Sequence, residues 1–371
     1  MKILVINHGL SHLRGCLVNT KTWEIDKYLS LKVEGFSGYE EGEYAAWQST
    51  ASLNECLAQI LDYIPESTWD YFTVTSSAYN LHFIGTADSM LVQPELILVG
   101  DQRCFPFLKD GEKPCDYAPR LRWLRSKYSY FNTSYIADSN SYIAGLTARH
   151  ISDKVLWRSE PTDPFNFEKF GVTPFQVKPD CMPVGHISGR YILSTYDALT
   201  VPFSFPGNEF LAYSAGTCAS VRAKTVANEQ RYNYPDVGLL GASNNADGAT
   251  VAWLSKLLGL SPRDLDFKIY ASAVDTRTVS SGYLSGSRNP SVRFGSGVLT
   301  NLSLLTTPTE IINAVAYSLA LDIKKLMDPL PNLPCLVSGG TANQSQLNRL
   351  KALVCEKDFY ICREKEMTAI G

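Results

Sequence analysis

Apolar positions along the first third of the chain come in short runs. Residues 2–6 (KILVI), 15–19 and 28–33 are brief apolar stretches separated by turn-rich gaps, which predicts three strands of a meander. The period then lengthens. Across residues 44–63, Ala45, Leu53, Cys56, Leu57, Ile60 and Leu61 share one broad face, which predicts a single long helix. Strands are expected at 70–76 and 96–99, the second ending at Gly100-Asp101, and helices at 119–127 and 140–148. Residues 151–183 read as irregular, rich in Pro, Phe and Asp.

A second block opens near residue 210 with FLAYSAGT, another strand-like run into a small-residue turn. Thr307, Pro308 and Glu310 spell a capping box with proline at the first helical position, so residues 307–327 form a helix. A strand at 335–337 meets Ser338-Gly339-Gly340-Thr341, and a further helix starts at about Gln344. Each half thus opens on a strand that enters a small-residue turn, at 7–11 and at 214–218. Two adjacent glycines after a buried strand allow two readings. One is a plain tight turn; the other is a backbone that a bulky ligand approaches closely because no Cβ intervenes.

Composition narrows the class. A chain of 371 residues exceeds one core of ordinary size, so two domains are expected, 1–207 and 208–371. Hydrophobic content of 45% and charged content of 19% describe a soluble globular protein. The net charge of −3, with the basic residues at 120–127 read as one helix face, argues against a nucleic-acid partner. Nine cysteines without a C-x-x-C pair fit reduced, buried thiols and a cytoplasmic location. No apolar run reaches the roughly 18 residues of a membrane span, and the start is too short for a signal peptide. His8 and His12 stand four apart without a nearby carboxylate or cysteine partner, so they read as a loop coincidence and no metal ligand is assigned.

Neither standard nucleotide fingerprint is present. Three strand-ending turns of small and hydroxyl residues take their place: Gly9-Leu10-Ser11, Ser214-Ala215-Gly216-Thr217 and Ser338-Gly339-Gly340-Thr341. Such turns present backbone N–H groups that can cradle phosphate without a P-loop lysine, and three of them suggest a nucleotide held between two domains.

The order of further motifs resembles the FGGY carbohydrate kinases, in particular their rhamnulokinase-like branch. NHGLSHLR (residues 7–14) is similar to the family's D-x-G-[TA]-[TS]-S-x-R loop. Asn80-Leu81-His82 resembles Q-M-H, and GDQR (100–103) resembles W-x-D-x-R. PRLRWLRSKYSYF and DSNSYIAGLTARHISD resemble two helical segments. YSAGTC resembles S-S-G-T-W, and SGSRNP resembles G-E-R-x-P. SGGTANQSQLNRL resembles G-G-G-x-x-N…Q-L, and EMTAIG resembles E-A-T-A-I-G. The resemblance runs collinearly over nearly the whole chain.

What it implies is an α/β protein of two ribonuclease H-like, actin-like ATPase domains with a cleft between them. The first domain would take the sugar and the second the nucleotide. ATP with Mg²⁺ would phosphorylate a hydroxyl of a small sugar or polyol. Asn80, His82, Asp101 and Arg103 would bind the acceptor. Gly9, Ser11, Arg14, Gly216 and Thr217 would hold phosphates, and Gly339, Gly340 and Asn343 the adenosine. Asp197 would be the general base. Other readings of the same residues stay open: Asp197 as a turn cap, Asp101 and Arg103 as a surface ion pair, and His82 as a hydrogen-bonded buried histidine.

The chain also departs from the family pattern. Asn7 stands where the family has the aspartate expected to hold Mg²⁺ through water, and an amide is a poorer ligand for a hard dication. Leu10 replaces a small or hydroxyl residue, Ser287 an acidic one, and the chain ends at Gly371 where relatives continue. The alternative to an active kinase is therefore a catalytically impaired homologue that binds sugar or nucleotide as a regulatory protein. An actin-like ATPase acting on something other than sugar leaves the D-x-R and N-L-H motifs unexplained. A homodimer is compatible with the sequence.

Overall fold

The computed structural model describes residues 1–40, 43–77, 80–84, 95–112, 114, 116–127, 135–150, 155–157, 173–174, 201–204, 207–225, 232–234, 237–245, 247–265, 267, 279–280, 297–364 and 366–370. The chain divides into two compact units, Met1–Phe203 with Thr368–Gly371, and Ser204–Met367.

In the first unit, β1 (Lys2–His8), β2 (His12–Asn19) and β3 (Glu24–Lys32) form the expected antiparallel meander. β4 (Gly35–Glu40) and β5 (Glu43–Ser49) make a hairpin that passes directly into α1 (Thr50–Tyr63). The long helix expected over 44–63 is therefore strand over 44–49 and helix only from Thr50. Residues up to Ser49 are held in ladders with β4 and with β8 (Glu95–Ile97), and the Ser49 hydroxyl caps α1 by accepting from Ser52 N at 3.2 Å. Cross-strand pairing overrode the helical period there.

β6 (Tyr71–Ser76) lies parallel to β1 and carries β10 (Val155–Trp157) beyond it, giving the sheet order β10-β6-β1-β2-β3. A second sheet runs β11-β9-β7-β8-β5-β4, with β7 (Leu81–Ile84), β9 (Tyr135–Asp138) and β11 (Thr173–Pro174). Among its described residues, the 151–183 stretch expected to be irregular holds two short strands. Helices α2 (Tyr117–Lys127) and α3 (Ser139–His150) complete the unit.

The strand period of two sorts β1 onto two cores. Leu4 and Ile6 pack with Leu53, Leu57 and Ile60 of α1, while Ile3 and Val5 pack with Ala369 and Ile370. Of the basic residues read as one helix face at 120–127, Arg120 does not face solvent. It is buried, with Nε donating to Pro114 O at 3.1 Å and Nη2 to Leu98 O at 2.9 Å.

The second unit repeats the first sheet's plan. β12 (Leu211–Ala215) turns into antiparallel β13 (Ala219–Thr225), which pairs with β15 (Val237–Asn244); β14 (Tyr232–Tyr234) edges the sheet. α4 (Gly248–Leu258) follows, then a two-stranded ribbon of β16 (Val279–Ser280) and β17 (Leu299–Thr300). α5 (Pro308–Met327) starts at the predicted capping box, both halves of which are present. β18 (Cys335–Ser338) lies parallel to β12, and after α6 (Ser345–Cys355) β19 (Phe359–Ile361) lies parallel to β18. In both units the first strand has its hairpin partner on one side and a parallel strand on the other. No helix among the described residues is long and apolar enough to cross a membrane.

Candidate functional site

All three proposed phosphate and nucleotide turns follow strands, at the ends of β1, β12 and β18. In the first unit, Gly9 N donates to His12 O at 2.9 Å and so closes the β1–β2 turn. A Cβ on Gly9 would stand 3.1 Å from Arg14 Nη1, so the guanidinium lies against the turn. Arg14 is also the cross-strand partner of Asn7. Ser11 Oγ lies 2.9 Å from His12 Nδ1.

His8 is buried in β1, with Nε2 2.8 Å from Gln48 Oε1 on β5 and no hydrogen-bond partner for Nδ1. Burial lowers its pKa to about 4; the Gln48 bond opposes the shift and the Arg14 charge adds to it. His12 is lowered by burial, then by Arg14 and Lys32.

The residues expected to bind the acceptor lie on β7 and on the segments flanking β7 and β8. Asn80 Oδ1 accepts from Val99 N at 3.0 Å, while its buried Nδ2 has no partner. His82 is buried and stacked on Tyr142 of α3, with ring centroids 3.9 Å apart at 15°. Neither ring nitrogen has a hydrogen-bond partner, and burial, then His8, holds its pKa well below the usual value. A neutral imidazole offers one donor and one acceptor, which complements a hydroxyl group. The alternative of a hydrogen-bonded buried histidine does not hold for His82.

Asp101 and Arg103 are not a surface pair. Asp101 is 2% exposed and accepts from Ala46 N at 2.9 Å and from Arg103 N at 3.0 Å. Arg103 Nη2 reaches its Oδ2 at 2.6 Å, and the guanidinium lies 4.5 Å over the Trp123 ring. Although burial works against the charged guanidinium, Asp101's hydrogen bond and charge raise its pKa. β5 ties this cluster to the β1 turn, with Gln48 reaching His8 and the Ala46 N–H reaching Asp101. Asp197, the expected base, and Ser287 lie outside the described residues.

In the second unit the β12–β13 turn is closed by Gly216 N donating to Cys218 O at 3.1 Å. Gly216 O and Thr217 O accept from the first helical N–H groups of α4, Gly248 at 2.9 Å and Ala249 at 3.0 Å. Those N–H groups are engaged by the turn. What remains is the exposed Thr217 side chain above the positive end of the helix dipole.

The double glycine has two separate jobs. Gly339 has φ of 99°, and a Cβ there would lie 2.7 Å from Ala215 O, so glycine is required by close approach of β12. A Cβ on Gly340 would meet nothing within 4 Å. Gly340 instead borders a pocket of about 760 Å³, with Pro262, Leu265, Phe267, Asn343 and Gln344 among its lining. Gln344 Nε2 donates to Pro262 O at 2.9 Å and joins the two walls.

One cluster escaped the sequence reading. Lys351 and Asp247 are fully buried and paired, Nζ to Oδ1 at 2.8 Å, and both bond the Tyr213 hydroxyl. The signal was present: Leu347, Leu350, Lys351 and Val354 share the apolar face of α6, where a lysine is out of place.

Asp247 is thereby engaged by Lys351 and the Tyr213 hydroxyl. Position 7 carries an amide, a poorer ligand for a hard dication than a carboxylate, and no trio of His, Cys, Asp or Glu converges among the described residues. The seven described cysteines are thiols rather than disulfides, and burial pushes Cys355 up to about 12 and Cys362 to about 11, which keeps both protonated.

Residues 206–371 match the C-terminal domain of the FGGY family of carbohydrate kinases. Among solved structures, a ligand-bound xylulose kinase from Lactobacillus acidophilus is similar over 100% of this chain and 87% of its own, with TM-score 0.71 and 14% identity. A xyloylose kinase from Brucella ovis is similar over 100% and 89%, with TM-score 0.70 and 14% identity. Plasmodium falciparum glycerol kinase with ADP is similar over 100% and 87%, with TM-score 0.66 and 12% identity. No curated protein matches the chain. The motif order, the repeated sheet plan and the matched C-terminal domain agree: residues 206–371 form an FGGY-type C-terminal domain, and the chain has the two-domain actin-like ATPase fold of the kinases it resembles.

Proposed function

We propose that the protein transfers the γ-phosphoryl group of ATP to a hydroxyl of a small sugar or polyol. The observation that carries this reading is the pocket beside Gly340 and Asn343 in a unit matching the FGGY C-terminal domain. It has an apolar wall of Pro262, Leu265 and Phe267 for a purine ring, and a loop glycine that leaves room for it.

In the first unit, Asn80 and His82 offer buried donors and an acceptor to hydroxyls, and the Asp101–Arg103 pair braces the same region. Arg14 across the β1 turn supplies positive charge for phosphate. Asp197 takes the acceptor's proton as the hydroxyl attacks. Mg²⁺ enters as part of the nucleotide substrate, and no step is assigned to a resident metal. The xylulose, gluconate and glycerol kinases similar in fold make a ketose, aldonate or polyol acceptor the first class to try.

ADP release with Mg²⁺-ATP across pentoses, hexoses, deoxysugars, ketoses, aldonates and polyols tests this directly. Release dependent on one acceptor is expected, and Asp197→Asn should then lower turnover about a thousandfold while leaving acceptor binding intact. Unchanged turnover in that variant would overturn the base assignment. Asn7 favours a second reading, a homologue that binds sugar or nucleotide without transferring phosphate. Silence across the panel, with ATP or a sugar still raising the melting temperature, is its signature.

A further inference from the structure

Four polar side chains from distant parts of the second unit converge behind the double glycine. Lys351 Nζ donates to Asp247 Oδ1 and to the Tyr213 hydroxyl, each at 2.8 Å. The Tyr213 hydroxyl donates to Asp247 Oδ2. Thr341 Oγ1 lies 3.1 Å from both Asp247 Oδ1 and Ala215 O, so its one proton can serve either. Lys351 and Asp247 are each 0% exposed.

Stability alone does not call for such an arrangement. A buried ion pair is often matched or bettered by apolar side chains of equal volume, because removing two charges from water is costly. What a satisfied buried network supplies is direction, since each bond fixes an angle as well as a distance. The parts fixed here all border the nucleotide region. Thr341 stands between Gly340, which borders the pocket, and Asn343, which lines it. Asp247 caps α4 with its backbone carbonyl, and the next two N–H groups hold the carbonyls of Gly216 and Thr217. Displacing Asp247 would move both loops together.

We propose that Lys351 is a positioning residue: paired with Asp247, it locks the Gly339–Thr341 loop to the Gly216–Thr217 turn and so sets the affinity for nucleotide. The proposal rests on the kinase reading for the identity of the ligand. Lys351 touches no substrate; it acts through Asp247 and Thr341.

Two variants of the full chain test it. Asp247→Asn with Lys351→Met removes both charges and keeps the volume, and Thr341→Val removes only the hydroxyl. Both should melt close to the parent protein. Both should weaken Mg²⁺-ADP binding and raise KM for ATP about tenfold, with KM for the acceptor unchanged and kcat less affected. Parent-like nucleotide affinity in Thr341→Val and in the folded double variant would overturn the proposal. Should the double variant fail to fold, Thr341→Val decides alone. A parent protein that binds no adenine nucleotide would remove the kinase reading instead. The lock is then read from amide exchange at residues 339–343, which Thr341→Val should speed about tenfold if the hydroxyl holds the loop. Unchanged exchange there would overturn the lock whatever the ligand.

Discussion

Among the described residues, Asp101–Arg103 in the first unit and Asp247–Lys351 in the second are acid–base pairs shielded from solvent, and the two are built in opposite ways. Asp101 and Arg103 are two residues apart on one turn, and the arginine keeps 12% of its side chain exposed while stacking on Trp123. Asp247 and Lys351 are 104 residues apart, join two helices, and are wholly enclosed. The first pair is a local device that the backbone almost dictates, since Asp101 also accepts the N–H of Arg103 itself. The second exists only once the sheet has brought β12, α4 and α6 together. A short-range pair can tolerate loss of one partner, because the backbone still satisfies the other. A long-range pair cannot.

Single truncations should expose that difference as the largest effect. Lys351→Met leaves the Asp247 carboxylate buried without its cation, which should cost about 3–5 kcal/mol of stability. Arg103→Met leaves Asp101 with the N–H groups of Ala46 and residue 103, and should cost about 1–2 kcal/mol. Denaturant unfolding of both variants measures the gap, and equal losses would mean that enclosure and sequence separation do not matter here.

A smaller effect separates the units by pH. His8 titrates at about 4 in the folded protein against 6.5 for the free side chain, and His82 is shifted in the same direction. Between those values the unfolded chain binds protons that the folded one refuses, so stability falls as the pH drops from 6.5 toward 4. His8 alone accounts for about 3 kcal/mol over that interval. Melting curves across it should fall steeply for the parent protein and less steeply for His8→Asn. A variant as acid-sensitive as the parent would place the titration elsewhere.

Which of these features the sequence reveals follows from the range of the interactions. The capping box at Thr307–Glu310, the three strand-ending turns and the repeated strand-to-turn opening of each half depend on neighbours within a few residues, and all are legible. The family resemblance was legible for the same reason, because its motifs sit on such turns. Residues 44–49 misled because their apolar spacing suits helix or strand, and only pairing with β4 and β8 decides between them. His8 read as a loop coincidence because its partner, Gln48, comes from another strand forty residues on. Lys351 carried a signal, a charge on an apolar face, but its partner could not be named without the fold.

The double glycine gives the finest test, since two identical residues side by side should respond differently. Gly339 lies at φ of 99°, with any Cβ forced to within 2.7 Å of Ala215 O, a backbone atom that cannot rotate away. Gly339→Ala should therefore destabilise the second unit by about 1–3 kcal/mol. Gly340 has open space where a Cβ would stand, so Gly340→Ala should change stability by less than about 0.5 kcal/mol. The added methyl borders the pocket, however, and should weaken Mg²⁺-ADP binding while the melting temperature stays put. If Gly340→Ala leaves nucleotide affinity untouched, the pocket beside Asn343 does not hold the nucleotide, and the second glycine is only the end of a turn that the first one requires.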